Sequence, residues 1–137
     1  MITMTTYTFY EYMKSKFPDL SDYMRNGNVD KKAHKSIGVF LGSDTRSNGN
    51  LAIGGIDCTT IRMLPININM RWTDNQKLCD DEATKIYDSL LLEKTNFKIN
   101  EVKIACIQLL DGSPIQLGRD DKNICEVTIR VNVYYYV

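Results

Sequence analysis

The alternation of apolar and polar residues is most regular at the end of the chain. Cys125, Val127, Ile129, Val131, Val133 and Tyr135 share one face, while Glu126, Thr128, Arg130, Asn132, Tyr134 and Tyr136 share the other. Period two marks a strand with one buried face, because on a helix the same residues would scatter around the surface. The run is about 13 residues against a usual ~5–6, and a strand of that length bends or outruns its domain. A second alternation sets Ile66, Ile68, Met70 and Trp72 against Asn67, Asn69 and Arg71, which predicts a strand over residues 59–72. Pro65 cannot donate to a ladder, so it marks a bulge, an edge or the true strand start. Residues 36–41 read as a further strand. Residues 102–110 are apolar on both faces, which predicts a central strand.

Helical spacing appears twice. Phe9, Met13 and Lys16–Phe17 recur with Tyr12 beside them, giving a short helix over residues 5–16 that Pro18 stops. A second turn over 20–24 ends at Asn26-Gly27, a strong turn signal. Later, Cys79, Ala83, Ile86, Tyr87, Leu90 and Leu91 form a stripe that needs a sheet to cover it. This helix is expected to be capped by Thr73 or Asp74 and to reach about Glu93. Asp80, Asp81 and Glu82 lie near its N-terminus, where the dipole favours negative charge, and are expected to be solvated.

Between these elements, residues 42–50 have no periodicity and are rich in loop residues, which predicts a mobile loop. Asp111-Gly112-Ser113-Pro114 is expected to turn the chain, a short extended piece covers 115–117, and Gly118-Arg119-Asp120-Asp121 forms a second turn. The order of helix, strands, helix and strands with hairpin-like links predicts one α+β domain over 1–137. Its sheet is mainly antiparallel, with helices packed on one face.

Composition narrows the function. Lys+Arg and Asp+Glu balance at 17 each, which argues against a general nucleic-acid or anionic-membrane binder. No apolar run reaches the ~20 residues that span a bilayer, and no basic region leads into an apolar stretch at the start. A soluble, intracellular protein is expected. Cys58, Cys79, Cys106 and Cys125 are scattered without a C-x-x-C pair, and His34 is the single histidine. Zinc and disulfides are therefore disfavoured, and the thiols read as small buried hydrophobes.

The candidate catalytic motifs are all incomplete. Gly49 and Gly54 have P-loop spacing, but Gly55 and Ile56 stand where Lys and Ser/Thr are required. His34 lies in a Lys-rich polar segment rather than a pocket wall. Asp120-Asp121 lacks the spaced oxygen ligands of a calcium loop. The expectation is no enzyme, no metal and no cofactor.

Two features exceed an ordinary surface. Tyr134 and Tyr136 project beside Arg130, and Tyr and Arg are enriched at protein interfaces, although tyrosines on a second sheet face equally pack on a helix. Charge is also uneven. Arg25, Lys31, Lys32 and Lys35 cluster against Asp30, while the later helix carries Asp74, Asp80, Asp81, Glu82, Asp88 and Glu93 against Lys77, Lys85 and Lys94. Such patches can meet head-to-tail between copies, a contact that closes into a ring when its rotation allows. Solvated faces without a partner are the plainer reading.

The segment from Ile107 to Lys122 contains Pro114, Leu117, Gly118, Arg119 and Asp120 in a P-x-x-L-G-R-D pattern. The alternating strand that follows ends Val131-Asn132-Val133-Tyr134-Tyr135-Tyr136. Together they resemble the C-terminal region of tail-terminator (tail-completion, minor capsid) proteins from phages and prophages of Gram-positive bacteria. A weaker likeness reaches back to the helix at 74–93. The resemblance implies a tail-terminator-like fold and a homohexameric ring, assembled in the host cytoplasm and found in the virion's tail or neck. Such a ring contacts the tail tube protein and the head-tail connector or stopper, and DNA merely passes through its lumen. The contact residues expected are Arg119, Asp120, Arg130, Tyr134 and Tyr136, with Ser43, Asp44, Arg46 and Asn48 of the loop as docking elements. A neighbouring neck or head-completion protein, and a small-molecule-binding or enzymatic α+β domain, are the alternatives.

Overall fold

A computed structural model describes residues 4–42, 60–93 and 96–136. The first helix, α1 (Thr6–Lys16), begins where the Thr5 hydroxyl accepts the Thr8 N–H at 3.3 Å, and it ends at Phe17 before Pro18. A 3₁₀ turn, Pro18–Tyr23, leads into a short strand β1 (Met24–Asn26), which the sequence does not announce. β1 runs parallel to β2 (Lys35–Leu41), with Met24 beside Ile37.

The link over residues 27–34 is short for a parallel crossover, which usually needs a dozen or more residues. It fits because it crosses the sheet at a glycine. A Cβ on Gly38 would lie 2.5 Å from the Asn28 carbonyl oxygen and 2.7 Å from Val29 Cγ2. Gly38→Ala should therefore destabilise the chain by about 1–3 kcal/mol, read as a fall in the urea midpoint at constant slope. An unchanged midpoint would mean that the crossover lifts freely.

β2 pairs antiparallel with β3 (Ile61–Trp72), and β3 pairs antiparallel with β7 (Cys125–Tyr136) from Ile61↔Tyr136 to Arg71↔Glu126. Pro65 sits within β3, and its carbonyl accepts the Gly42 N–H at 2.9 Å. A residue's N–H and C=O point to the same side of a strand, so the donor Pro65 lacks faces the β2 side just past Leu41, where β2 ends. Of the three readings of Pro65, a local edge is the one observed.

The second helix, α2 (Gln76–Leu91), is capped by Asn75, not by Thr73 or Asp74. Asn75 Oδ1 accepts the N–H groups of Lys77 at 3.0 Å and Leu78 at 3.3 Å. Thr73 cannot cap because it holds a left-handed φ of 48°. Its N–H donates to His34 and its carbonyl accepts from Cys125, at 2.7 and 2.9 Å, which fixes that costly conformation. Cys79, Ala83, Ile86 and Leu90 are buried against the sheet, Tyr87 is half-buried, and Leu91 is exposed.

Two expectations at the end of the chain are corrected. The strand at 102–110 does have a neighbour on each side, but the middle of the sheet belongs to β7. β7 has β3 on one side, and on the other it has β5 (Val102–Leu109) and β6 (Ile115–Arg119). β5 looks apolar on both faces because its alternation slips. Ile104 pairs with Tyr135 but Cys106 pairs with Tyr134, so Ala105 is an inserted bulge residue. Val102, Ile104, Ile107 and Leu109 therefore share one face. On its far side, β4 (Phe97–Ile99) pairs with Val102–Ile104.

Asp111-Gly112-Ser113-Pro114, in turn, does not reverse the chain. β5 and β6 both run antiparallel to β7, along Val131–Tyr135 and Cys125–Thr128, and so they run in one direction. Residues 110–114 loop out of that shared line opposite Arg130. The reversal comes later, between β6 and β7.

The resulting strand order is β1-β2-β3-β7-β5-β4, with β6 continuing the line of β5. This is the expected α+β class, though the sheet is mixed and curled. α1 touches both β1–β2 and β4, at opposite ends of the order, so it closes the curl. Phe9 and Met13 are fully buried beneath it. The two helices are also tied at their ends. The Tyr12 hydroxyl donates to Glu93 Oε2, and Lys16 Nζ lies 2.6 Å from the same oxygen. Burial, and then the bond to Glu93, push the Tyr12 phenol far above its ordinary range, which keeps it a donor.

Candidate functional site: the turn between β6 and β7 and the adjoining sheet face

The motif residues assemble into one folded unit. At Leu117–Gly118, two residues of β6 oppose one of β7, and Gly118 carries a φ of 96°, which favours glycine. Arg119 then folds back, donating from Nη1 to the carbonyls of Asp74 at 2.8 Å and Asn123 at 3.0 Å. It binds carbonyls of its own chain, not the neighbouring carboxylate that its position in the turn suggests.

Asp120 organises the reversal. Its Oδ1 accepts the N–H groups of Lys122 and Ile124, each at 2.9 Å. Its Oδ2 accepts from Arg71 Nε at 2.6 Å, with Nη2 2.5 Å away. The Ile124 N–H, and after it Arg71 and the Lys122 N–H, hold the carboxyl below its usual range against the burial that would raise it.

Arg71 is the residue that sequence reading missed. In the period-two pattern it is an outward polar residue, yet only 4% of it is exposed. Beyond Asp120, its Nη1 donates to the Ala33 carbonyl, with a longer contact of 3.5 Å to that of Asp30. Arg71 thus joins the 27–34 crossover to the β6–β7 turn. Its only sequence signal is position, on the outward side of a strand whose neighbours turn out to be covered. Lys122 adds a second tie, from Nζ to the Lys31 carbonyl at 3.3 Å.

Between the crossover and the turn lies a half-open cavity of about 680 Å³. Val29, Phe40, Leu117 and Val127 supply apolar wall, and Lys31, Asp121, Lys122 and Glu126 bring both signs of charge. Further along the same face, Thr128 donates to Asn69 at 2.6 Å, and both Thr128 and Asn132 are buried. The outward side of β7 is therefore not a simple solvent face.

The remaining expected contact residues also have partners within the chain. Arg130 forks onto the Asp111 carboxylate at 2.9 and 2.7 Å, which pins the 110–114 loop, and the Tyr87 hydroxyl donates to the Asp111 carbonyl at 2.7 Å. The Tyr134 hydroxyl donates to Gln108 at 3.1 Å and that of Tyr136 to Asn96 at 3.2 Å, with both rings half-buried. Ser43, Asp44, Arg46 and Asn48, like the loop at 43–50 and Cys58, lie outside the described residues.

Of the two charge patches, Arg25, Lys31 and Lys32 are exposed, whereas Lys35 stacks over Trp72 at 5.0 Å. On α2, Asp81 and Asp88 are exposed. Asp80 is half-buried and accepts the side-chain amides of Gln76 and Gln116 at 2.8 and 2.6 Å. It is thus a structural acceptor and not the solvated carboxylate expected. His34 is exposed.

Among the described residues, no group of three or more His, Cys, Asp or Glu side chains could hold a metal ion, and no helix is long and apolar enough to cross a membrane. Comparison with models of known protein families and with curated proteins gives no match.

Proposed function

We propose that the chain is a non-catalytic structural subunit of a tailed-phage particle, a tail-terminator protein that forms a ring at the head-proximal end of the tail tube. One observation carries the reading: the motif behind the resemblance is an architectural unit. Leu117 and Gly118 make the bulge, Arg119 anchors it to the start of α2, and Asp120 caps the reversal into β7. A motif whose Leu117, Gly118, Arg119 and Asp120 shape one bulge and turn speaks for shared architecture rather than shared chemistry.

In this reading six copies close head-to-tail, the ring meets the tail tube on one side and the connector on the other, and DNA crosses its lumen. Neither metal nor cofactor takes part. Native mass spectrometry of the purified chain, with imaging of particles, tests it: the expected result is a closed cyclic oligomer, six-fold by family likeness. A symmetric dimer at every concentration would sink the ring.

The cavity under the crossover favours one other reading, a small-molecule-binding domain, since its size falls in the range of ligand pockets. That reading requires a stable monomer in solution.

A further inference from the structure

The C-terminal end of α2 is apolar where it meets solvent. Leu91 is 60% exposed and Leu92 80%, side by side where the helix stops. A lone exposed leucine is ordinary, but an adjacent pair this far out leaves two large apolar side chains in water. The last turn carries no basic residue, so α2 supplies no cation for the negative end of its own dipole. Asp88, one turn back, is exposed and adds to that charge. The end of α2 is an apolar knob with a negative rim.

The cavity under the crossover has the matching character. Its apolar wall includes Val29, Phe40 and Leu117, the last 55% exposed. Lys31 and Lys122 stand together on its rim, where Lys122 Nζ donates to the Lys31 carbonyl at 3.3 Å, and Asp121 and Glu126 line it too. Its volume of about 680 Å³ is ample for two leucine side chains. Arg119 ties the turn that walls the cavity to the Asp74 carbonyl, just before α2 begins. The knob lies at the other end of that 16-residue helix, about 24 Å away. No copy can fill its own cavity with its own knob.

We propose that this cavity receives the Leu91–Leu92 end of α2 from a second copy of the chain. The leucines seat against Val29, Phe40 and Leu117, while Lys31 and Lys122 meet Asp88 and the carbonyl end of the helix. Lys85, exposed one turn before Asp88, is the counterpart for Asp121 and Glu126. A second copy is the occupant because one chain carries both halves with complementary charge, and this choice rests on the ring proposed above. Knob and cavity are different surfaces, so the contact is heterologous. Each copy keeps one of each open until a ring closes or a filament runs on.

The test compares the full wild-type chain with Leu91→Ser/Leu92→Ser and with Leu117→Ser, by native mass spectrometry over a range of concentrations. All three leucines are more than half exposed, so both variants should keep the wild-type melting temperature. The expected result is association weakened about ten-fold or more in each. Wild-type assembly in both variants overturns the contact and leaves the ring standing. A wild-type chain that is monomeric at every concentration, or a symmetric dimer, overturns both. A filament lost in the serine variants supports the contact and removes the ring. Should a serine variant melt early, cross-linking decides, in a chain with Cys58→Ser and Cys106→Ser. With Leu92→Cys and Leu117→Cys together, a short bis-maleimide should give a ladder of dimers, trimers and larger species, which neither cysteine alone gives. No ladder, or one from a single cysteine, overturns the proposal.

Discussion

Arg71→Met is expected to lower stability by about 3 kcal/mol, because it removes one partner of a nearly buried ion pair and leaves two backbone carbonyls without their donor. Methionine fills much of the volume, so the loss reports the missing donors and not a cavity. Arg71→Lys should fall between, since a point ammonium cannot reach Asp120 and the crossover carbonyls together. Urea unfolding reads the effect as a lower midpoint with an unchanged slope. A wild-type midpoint in Arg71→Met would show that water replaces the guanidinium at no cost.

The same clamp gives the chain an acid dependence. Folding holds Asp120 below its ordinary value of 3.8, so its stabilising contribution is whole above that value. It is lost as pH falls through the lower folded value. In Arg71→Met this acid-linked loss should shrink without vanishing, because the Ile124 N–H is the largest cause of the shift and remains in place.

Phe9→Ala should cost about 3–5 kcal/mol and lower the melting temperature by about 10 °C or more. Phe9 is fully buried under the helix that bridges the two ends of the sheet order, so its cavity opens where the curl closes. Tyr7→Ala, on the same helix but 54% exposed, should change little and serves as the control. Equal effects from both would mean that α1 contributes through its own helicity and not through packing. Calorimetry of the three chains distinguishes these outcomes.

What the sequence made legible follows from how far each signal reaches. The faultless alternation of β7 and the spacing of Phe9, Met13 and the α2 stripe each report one apolar face, and those elements lie where expected. β5 misled because a single inserted residue, Ala105, shifts the phase of the pattern, and a phase shift looks like two apolar faces. β1 was hidden because three residues that run into the Asn26-Gly27 turn signal carry no periodicity. Arg119 and Asp120 stood out in the sequence, yet the partners that tie them to the rest of the fold, the Asp74 carbonyl and Arg71, lie 45 and 49 residues away along the chain. Arg71 itself was concealed because alternation reports the side of a strand and not what later covers that side.

The sheet ends in strands that resist extension. β1 and β4 are three residues each, and β6, at five, is kinked by the Gly118 bulge. On β1, the Met24 N–H already donates to Ser21 and its carbonyl accepts from Arg25. Short, bent and self-satisfied margins recruit other strands poorly. Among the described residues, copies of this chain that meet along β1, β4 or β6 are thereby steered away from runaway cross-β growth.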